Sequence, residues 1–159
     1  MNRNLICLFF ILIISSFEKI HAQNVQVINF NSLQKIYSNK SDTTYFIHFF
    51  ASWCLPCLNE LPDFVSFSDQ HKNEKVKMIF VSLDMKKDSI KTLPQLIEKF
   101  KINETVFLLN ETNADKWINM VDKKWSGSIP ATMILNNEKK YKKFFIEPMS
   151  LEILNKLVK

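Results

Sequence analysis

The sequence predicts a single α/β domain, a central mixed β-sheet flanked by helices on both faces. Three observations carry that expectation. Strand-length runs of apolar, β-branched and aromatic residues alternate with segments of helical periodicity along most of the chain. The two strongest runs, 43–50 (TTYFIHFF) and 76–83 (VKMIFVSL), are apolar almost throughout, as strands covered on both faces must be. The last third ends in a hairpin pattern and an amphipathic helix, which adds antiparallel strands to an otherwise parallel arrangement. At 159 residues, 47% of them apolar and 13% aromatic, the chain is long enough to bury one proper core.

The first 22 residues stand apart. Arg3 and the amino group form a short positive region, 5–14 (LICLFFILII) is an apolar run, and a polar stretch leads to Ala22. The apolar run is too short to span a bilayer, and the layout predicts a secretory signal peptide over 1–22, cleaved after Ala22, with the domain over 23–159. An uncleaved membrane anchor is the alternative, since Ile20 is larger than the usual residue at the minus-three position. Cys7 leaves with this segment, so the two cysteines that remain are Cys54 and Cys57. Such a chain has no spare pair to act as a structural staple.

In order, Val25–Ile28 is a short edge strand, 32–37 a helical segment ended by polar 38–42, and 43–50 a central strand. Residues 54–70 read as a helix with Leu58, Leu61, Val65 and Phe67 apolar, and Pro62 predicts a kink in it. A buried strand over 76–83 is followed by a helix over 88–100, with Ile90, Leu93, Ile97 and Phe100 on one side. A short strand at 105–109 and a helical segment at 114–121 follow. A strand at 131–135, a turn at 136–138 and a return strand at 142–146 form the hairpin. The terminal helix, 149–158, has Leu151, Leu154, Leu157 and Val158 as its apolar face.

Several functions are excluded or disfavoured by composition. Gly127 is the only glycine, which rules out glycine-rich phosphate loops. Net charge is +5, carried by dispersed lysines, with Arg3 the only arginine; no dense basic stripe for nucleic acid is present. Trp117 and Trp125 are core or surface anchors, with no stacking array for bases or sugars.

Trp53-Cys54-Leu55-Pro56-Cys57 carries the chemistry. A strand delivers a Cys-X-X-Cys into the start of a helix, where the positive end of the helix dipole favours the thiolate of the first cysteine. The thiolate is the reactive species in disulfide exchange, and the second thiol, one turn on, can close onto the first. The pair therefore reads as a dithiol/disulfide redox centre, with Cys54 the nucleophile and more exposed thiol, and Cys57 the resolving thiol. A zinc site would need two more ligands, and only His48 and His71 are at hand outside the leader, so no metal is expected.

With these residues in view, the chain resembles the thioredoxin superfamily, and within it the extracytoplasmic, TlpA/ResA-like branch of thiol–disulfide oxidoreductases. The likeness covers roughly residue 32 to the end. It rests on Trp53-Cys54-Leu55-Pro56-Cys57, on Glu60-Leu61-Pro62, on Val81-Ser82-Leu83-Asp84, and on Gly127-Ser128-Ile129-Pro130-Ala131-Thr132. The resemblance implies a thioredoxin fold and exchange of disulfides with protein substrates, as a reductant of the kind used in cytochrome c maturation. No cofactor is implied; the partners are protein thiols or disulfides and an upstream membrane or soluble electron donor.

It further implies that Pro130 is a cis-proline facing the Cys54 sulfur, with the backbone of Ile129 pairing with an extended client. Trp53 is expected beside the sulfurs, shielding them on one side. Glu60, three residues after Cys57, tunes the thiols or relays protons by resemblance; a solvated helix glutamate is the plain alternative. His48 departs from thioredoxins proper, which place a buried aspartate there, and is open to two readings: a base for Cys57, or a satisfied core histidine. An extracytoplasmic location follows from the leader, and a membrane tether only if that leader stays attached. Two rival functions remain at this point: a peroxide-reducing enzyme on the same scaffold, and a non-catalytic binding module.

Overall fold

A computed structural model describes residues 25–111 and 113–158. The leader expected over 1–22 lies outside the described residues. The elements run β1 (Val25–Ile28), α1 (Phe30–Tyr37), β2 (Thr44–Phe50), α2 (Leu55–His71), β3 (Val76–Ser82), α3 (Lys86–Phe100) and β4 (Val106–Leu109). A 3-10 turn (Ala114–Lys116), α4 (Ile118–Val121), β5 (Ala131–Asn136), β6 (Tyr141–Phe145) and α5 (Leu151–Lys156) complete the chain.

The strands form one six-stranded sheet in the order β1-β4-β3-β2-β5-β6. The first four of these are mutually parallel. β5 runs antiparallel to β2, and β6 antiparallel to β5. The sheet is thus mixed, as expected.

All seven residues of β2 are buried, because it has helices on both sides. Alternation along the strand sorts its side chains. Phe46 and Phe50 join Leu61, Phe64 and Leu93 in the core beneath α2, α3 and α5. Tyr45, Ile47 and Phe49 join Phe30, Leu33 and Trp117 in the core beneath α1 and α4. Period-2 geometry therefore points His48 to the side of α2.

Local signals set the helix ends. Asn29 caps α1 by accepting the Ser32 N–H at 2.8 Å, and Glu111 accepts the Phe30 N–H at 2.7 Å. A left-handed Lys101, φ 55°, ends α3. Pro62 lies within α2, which continues to His71.

Two expectations need correction. The face of α3 turned to the sheet carries Ser89, Leu93 and Leu96, at i, i+4 and i+7. Ile90 falls on the flank of that face and is exposed, while Ile97 and Phe100 pack only partly. The segment 114–121 is not one helix but a 3-10 turn and a single α turn. It divides at Trp117, whose buried ring lies 5.8 Å from Phe30 and 5.5 Å from Trp125.

The register fixes where a site can form. Phe50 pairs with Ser82, and Phe49 with Ala131. The carboxyl ends of β2 and β3 and the start of β5 thus meet at one edge, as do the loops 51–54, 83–85 and 127–130. In parallel α/β sheets this is where ligands and reactive groups gather.

Candidate active site

Cys54 and Cys57 are joined by a disulfide with S–S 2.05 Å and Cα–Cα 5.3 Å. Cys54 is the N-cap of α2, and its Sγ accepts the Cys57 N–H at 3.3 Å. Its own N–H donates to the Ala51 carbonyl at 3.1 Å, which closes the loop leaving β2. Pro56, in the first helical turn, gives up no hydrogen bond, since the N–H groups there have no intrahelical acceptor. Cys54 is 5% exposed and Cys57 0%. Access from solvent therefore favours Cys54.

Apolar side chains surround this end of the sheet. Trp53 (71% exposed) and Met85 (74%) project from the loops after β2 and β3, and Leu55 (67%) from the first position of α2. Trp53 is thus not packed down into the core. The Ile129–Pro130 peptide bond is cis. Ile129 is half-buried and packs against both cores. Gly127, φ +89°, makes the turn into this loop, and an added Cβ would come within 2.8 Å of Ile118 Cδ1. The Trp125 indole N–H donates to the Ser128 carbonyl at 2.8 Å and pins the segment.

The Asp84 carboxylate ties two of these loops together. It accepts the Ser52 N–H at 3.0 Å, the Ser52 hydroxyl at 2.7 Å and the Ser82 hydroxyl at 2.7 Å. The loop that presents Trp53 and Cys54 is thereby anchored to the end of β3. In the sequence, Asp84 stands out only as the end of the Val81-Ser82-Leu83-Asp84 stretch. The usable signal was a carboxylate directly after an apolar strand, which must be buried among donors or turned to solvent.

A buried polar pair lies between β2 and α2. Glu60 sits one turn beyond Cys57 on α2 and is 5% exposed. Its Oε2 accepts the Met149 N–H at 2.6 Å. Burial pushes its carboxyl up to about 7; the Met149 N–H opposes that rise and Asp63 adds to it. His48 is wholly buried, with its ring stacked 4.1 Å from Phe64. Burial pushes its imidazole down to about 3, so it is neutral at physiological pH. Nδ1 lies 3.2 Å from Thr132 Oγ1, directly across the β2–β5 pairing. Nε2 lies 3.6 Å from Glu60 Oε1.

Thus β2, α2 and β5 bring Cys54, Cys57, Glu60, His48 and Pro130 to one end of the fold, with Trp53 and Ile129 beside them. His71, the other histidine considered, lies elsewhere and contacts Glu74 and Asn155. Among the described residues, no group of three or more His, Cys, Asp or Glu is placed to hold a metal ion.

Comparison with known proteins agrees with this geometry. The AhpC/TSA family profile matches residues 15–143. Sporulation thiol-disulfide oxidoreductase A of Bacillus subtilis (strain 168) is 31% identical over 116 residues, 73% of this chain. The match spans 66% of that relative's length, just under two thirds. The crystal structure of StoA from Bacillus subtilis is 30% identical with TM-score 0.54, over 74% of this chain and 83% of that one. A thioredoxin-related protein from Neisseria meningitidis serogroup B superposes with TM-score 0.64 at 15% identity, over 76% and 85% of the two chains, which is a likeness of fold. This chain belongs to the AhpC/TSA family of the thioredoxin superfamily.

Proposed function

We propose that this protein is an extracytoplasmic thiol–disulfide oxidoreductase that acts on protein clients, with reduction as its working direction. The observation that carries the reading is the Cys54–Cys57 disulfide at the start of α2, with the less buried sulfur as the helix cap. The similarity to a thiol-disulfide oxidoreductase supports it.

In the reduced protein, the Cys54 thiolate is favoured by the α2 dipole and the Cys57 N–H. It attacks a client disulfide; one client sulfur departs as a thiolate and a mixed disulfide forms on Cys54. Glu60, as carboxylate, takes the proton of the Cys57 thiol. Cys57 then attacks Cys54 Sγ, the second client thiolate leaves, and the internal disulfide is restored. A separate donor supplies two electrons to reopen it. Ile129 and Pro130 line the client's backbone path, and Trp53 offers it an apolar face. The chemistry uses the protein's own sulfurs and calls for no cofactor.

The reductant direction rests on the Glu60 position and on resemblance to cytochrome c maturation proteins. Export rests on the leader-like residues 1–22; among the described residues, no helix is long and apolar enough to cross a membrane. Disulfide pairs of this kind range from about −270 to about −120 mV. Equilibration with glutathione places this one: a value near the lower end supports a reductant, and one near the upper end assigns a disulfide-forming role.

Cys57→Ala tests the assignment of the nucleophile. The variant accumulates covalent client adducts on Cys54, released by dithiothreitol. Recovery of no adducts, together with failure of the wild type to reduce insulin, supports a non-catalytic binding module. Peroxide reduction is the other reading that the family admits. It calls for arginine-assisted activation of a cysteine, and the chain has no arginine after Arg3. Thiol-dependent consumption of peroxide by the purified protein would restore it.

A further inference from the structure

The contact between His48 and Glu60 leaves two buried polar atoms unpaired. His48 Nε2 and Glu60 Oε1 face each other at 3.6 Å, both are buried, and neither has a hydrogen-bond partner. Two orphaned polar atoms in a closed apolar setting are costly, and each is what the other lacks. The remaining atoms of the two groups are already committed. Glu60 Oε2 holds the Met149 N–H. Nδ1 is beside the Thr132 hydroxyl, whose oxygen can accept a hydrogen bond from the ring N–H. Phe50, Phe64 and Phe80 enclose the ring on its other sides.

We propose that His48 is a positioning residue for the exchange reaction: in the oxidised protein, Glu60 carries a proton on Oε1 and donates it to His48 Nε2. The imidazole is then neutral with its own proton on Nδ1, donated to Thr132. A shift of under about 1 Å closes the gap to hydrogen-bond length. The elevated carboxyl and the depressed imidazole agree with this arrangement: one proton, held on the glutamate side. Among the described residues, Glu60 is the charged group within ion-pair reach of His48, and Asp63 is the one that bears on Glu60. Cys57 precedes Glu60 by one turn on the same helix.

This deepens the proposed role of Glu60 and rests on it for its consequence. After reduction, Glu60 must be free of its proton to accept the one leaving Cys57. His48 holds the carboxyl aimed and protonated in the closed disulfide state, and the proton returns to that position when the disulfide re-forms. When the donor opens the disulfide, the Glu60 proton passes to the Cys57 sulfur; when Cys57 later attacks Cys54 Sγ that proton goes back to Glu60, and client thiolates take theirs from solvent.

Nitrogen and carbon NMR of the full domain test it without relying on activity. Below the Glu60 midpoint, the oxidised protein shows His48 protonated on Nδ1 and bare on Nε2. As pH rises, the Nε2 signal steps at the same midpoint as the Glu60 carboxyl carbon, and Glu60→Gln removes the step. His48→Gln presents an N–H to the ionised carboxylate, which favours the charged form and lowers the Glu60 midpoint by about one pH unit, a tenfold change in proton affinity. A midpoint that stays where it was shows that the side chain at position 48 does not reach the carboxyl, and overturns the proposal. An Nε2-protonated ring or an imidazolium below the midpoint overturns the proposal in the wild type alone, even if His48→Gln fails to fold. Resolution kinetics separate the two ideas. A Glu60→Gln protein that resolves mixed disulfides at the wild-type rate and pH dependence removes Glu60 as base, and the NMR then decides the shared proton on its own.

Discussion

Glu60→Gln should make the oxidised protein more stable in base and change its pH response in a calculable way. Burial holds the Glu60 carboxyl at about 7, against 4.5 when free. A carboxyl raised on folding contributes stability that is fully present below 4.5 and is lost as pH climbs through about 7. At about 1.4 kcal/mol per tenfold, the loss is about 3 kcal/mol. His48 acts in the opposite sense. Its imidazole falls from 6.5 to about 3, so stability is lost as pH drops through that range. The two slopes offset each other between 4.5 and 6.5, which predicts a plateau there and a decline on each side. The substitution removes the alkaline decline and the offset with it, so the variant's stability climbs with pH up to about 6.5 and then levels off. The contributions of His71 and the other groups are common to both proteins and cancel in the difference. Urea unfolding of the disulfide-intact proteins, near pH 5 and pH 8, reads it directly. Relative to wild type, the variant gains about 3 kcal/mol between the two conditions, on the order of 10 °C in Tm. A difference that is the same at both pH values refutes the buried, protonated carboxyl.

Three further outcomes follow from the geometry of the site. Asp84→Ala strips the acceptor from the Ser52 N–H and two hydroxyls; stability falls by about 3 kcal/mol, and insulin reduction falls with it because the Cys54 loop loses its anchor, whereas unchanged turnover shows that the loop holds itself. Gly127→Ala forces a Cβ to within 2.8 Å of Ile118 Cδ1 at φ +89°; chemical denaturation should report a loss of about 1–3 kcal/mol, and a neutral result means the turn relaxes freely. Trp53→Ala removes a side chain that is 71% exposed, so Tm stays within the range of surface changes, about 0.5 kcal/mol, while KM rises for a protein client and not for a small disulfide; equal effects on both substrates would place the ring over the sulfurs instead.

Much of this was legible in the chain because the signals were local. The apolar runs of β2 and β3 and the Cys-X-X-Cys between strand and helix needed no knowledge of long-range packing, and their element limits moved by two residues or fewer. The face of α3 was harder. Its apolar residues occupy more than one stripe, and only the sheet decides that Leu93 and Leu96 go in while Ile90 stays out. Trp117 divided a segment that looked helical because it drops into the aromatic cluster with Phe30 and Trp125. In the site, the spacing of Glu60 from Cys57 placed it one turn away. What no spacing showed is that the Met149 amide, 89 positions later, meets its carboxylate. The same holds for Asp84, whose donors lie on Ser52 and Ser82, and for Thr132, which reaches His48 only through the β2–β5 register.

The amide of Met149 gives the tail of the chain a hold on the redox centre. It lies just ahead of α5, whose Leu154 is buried against the same core as the two cysteines. A fusion, a truncation or a docked neighbour that prises this last helix from its seat would withdraw a donor from Glu60 and leave the carboxyl harder to ionise. Affinity handles for client capture therefore belong at the start of the domain, after the leader, or beyond a spacer long enough to let the terminal helix stay down.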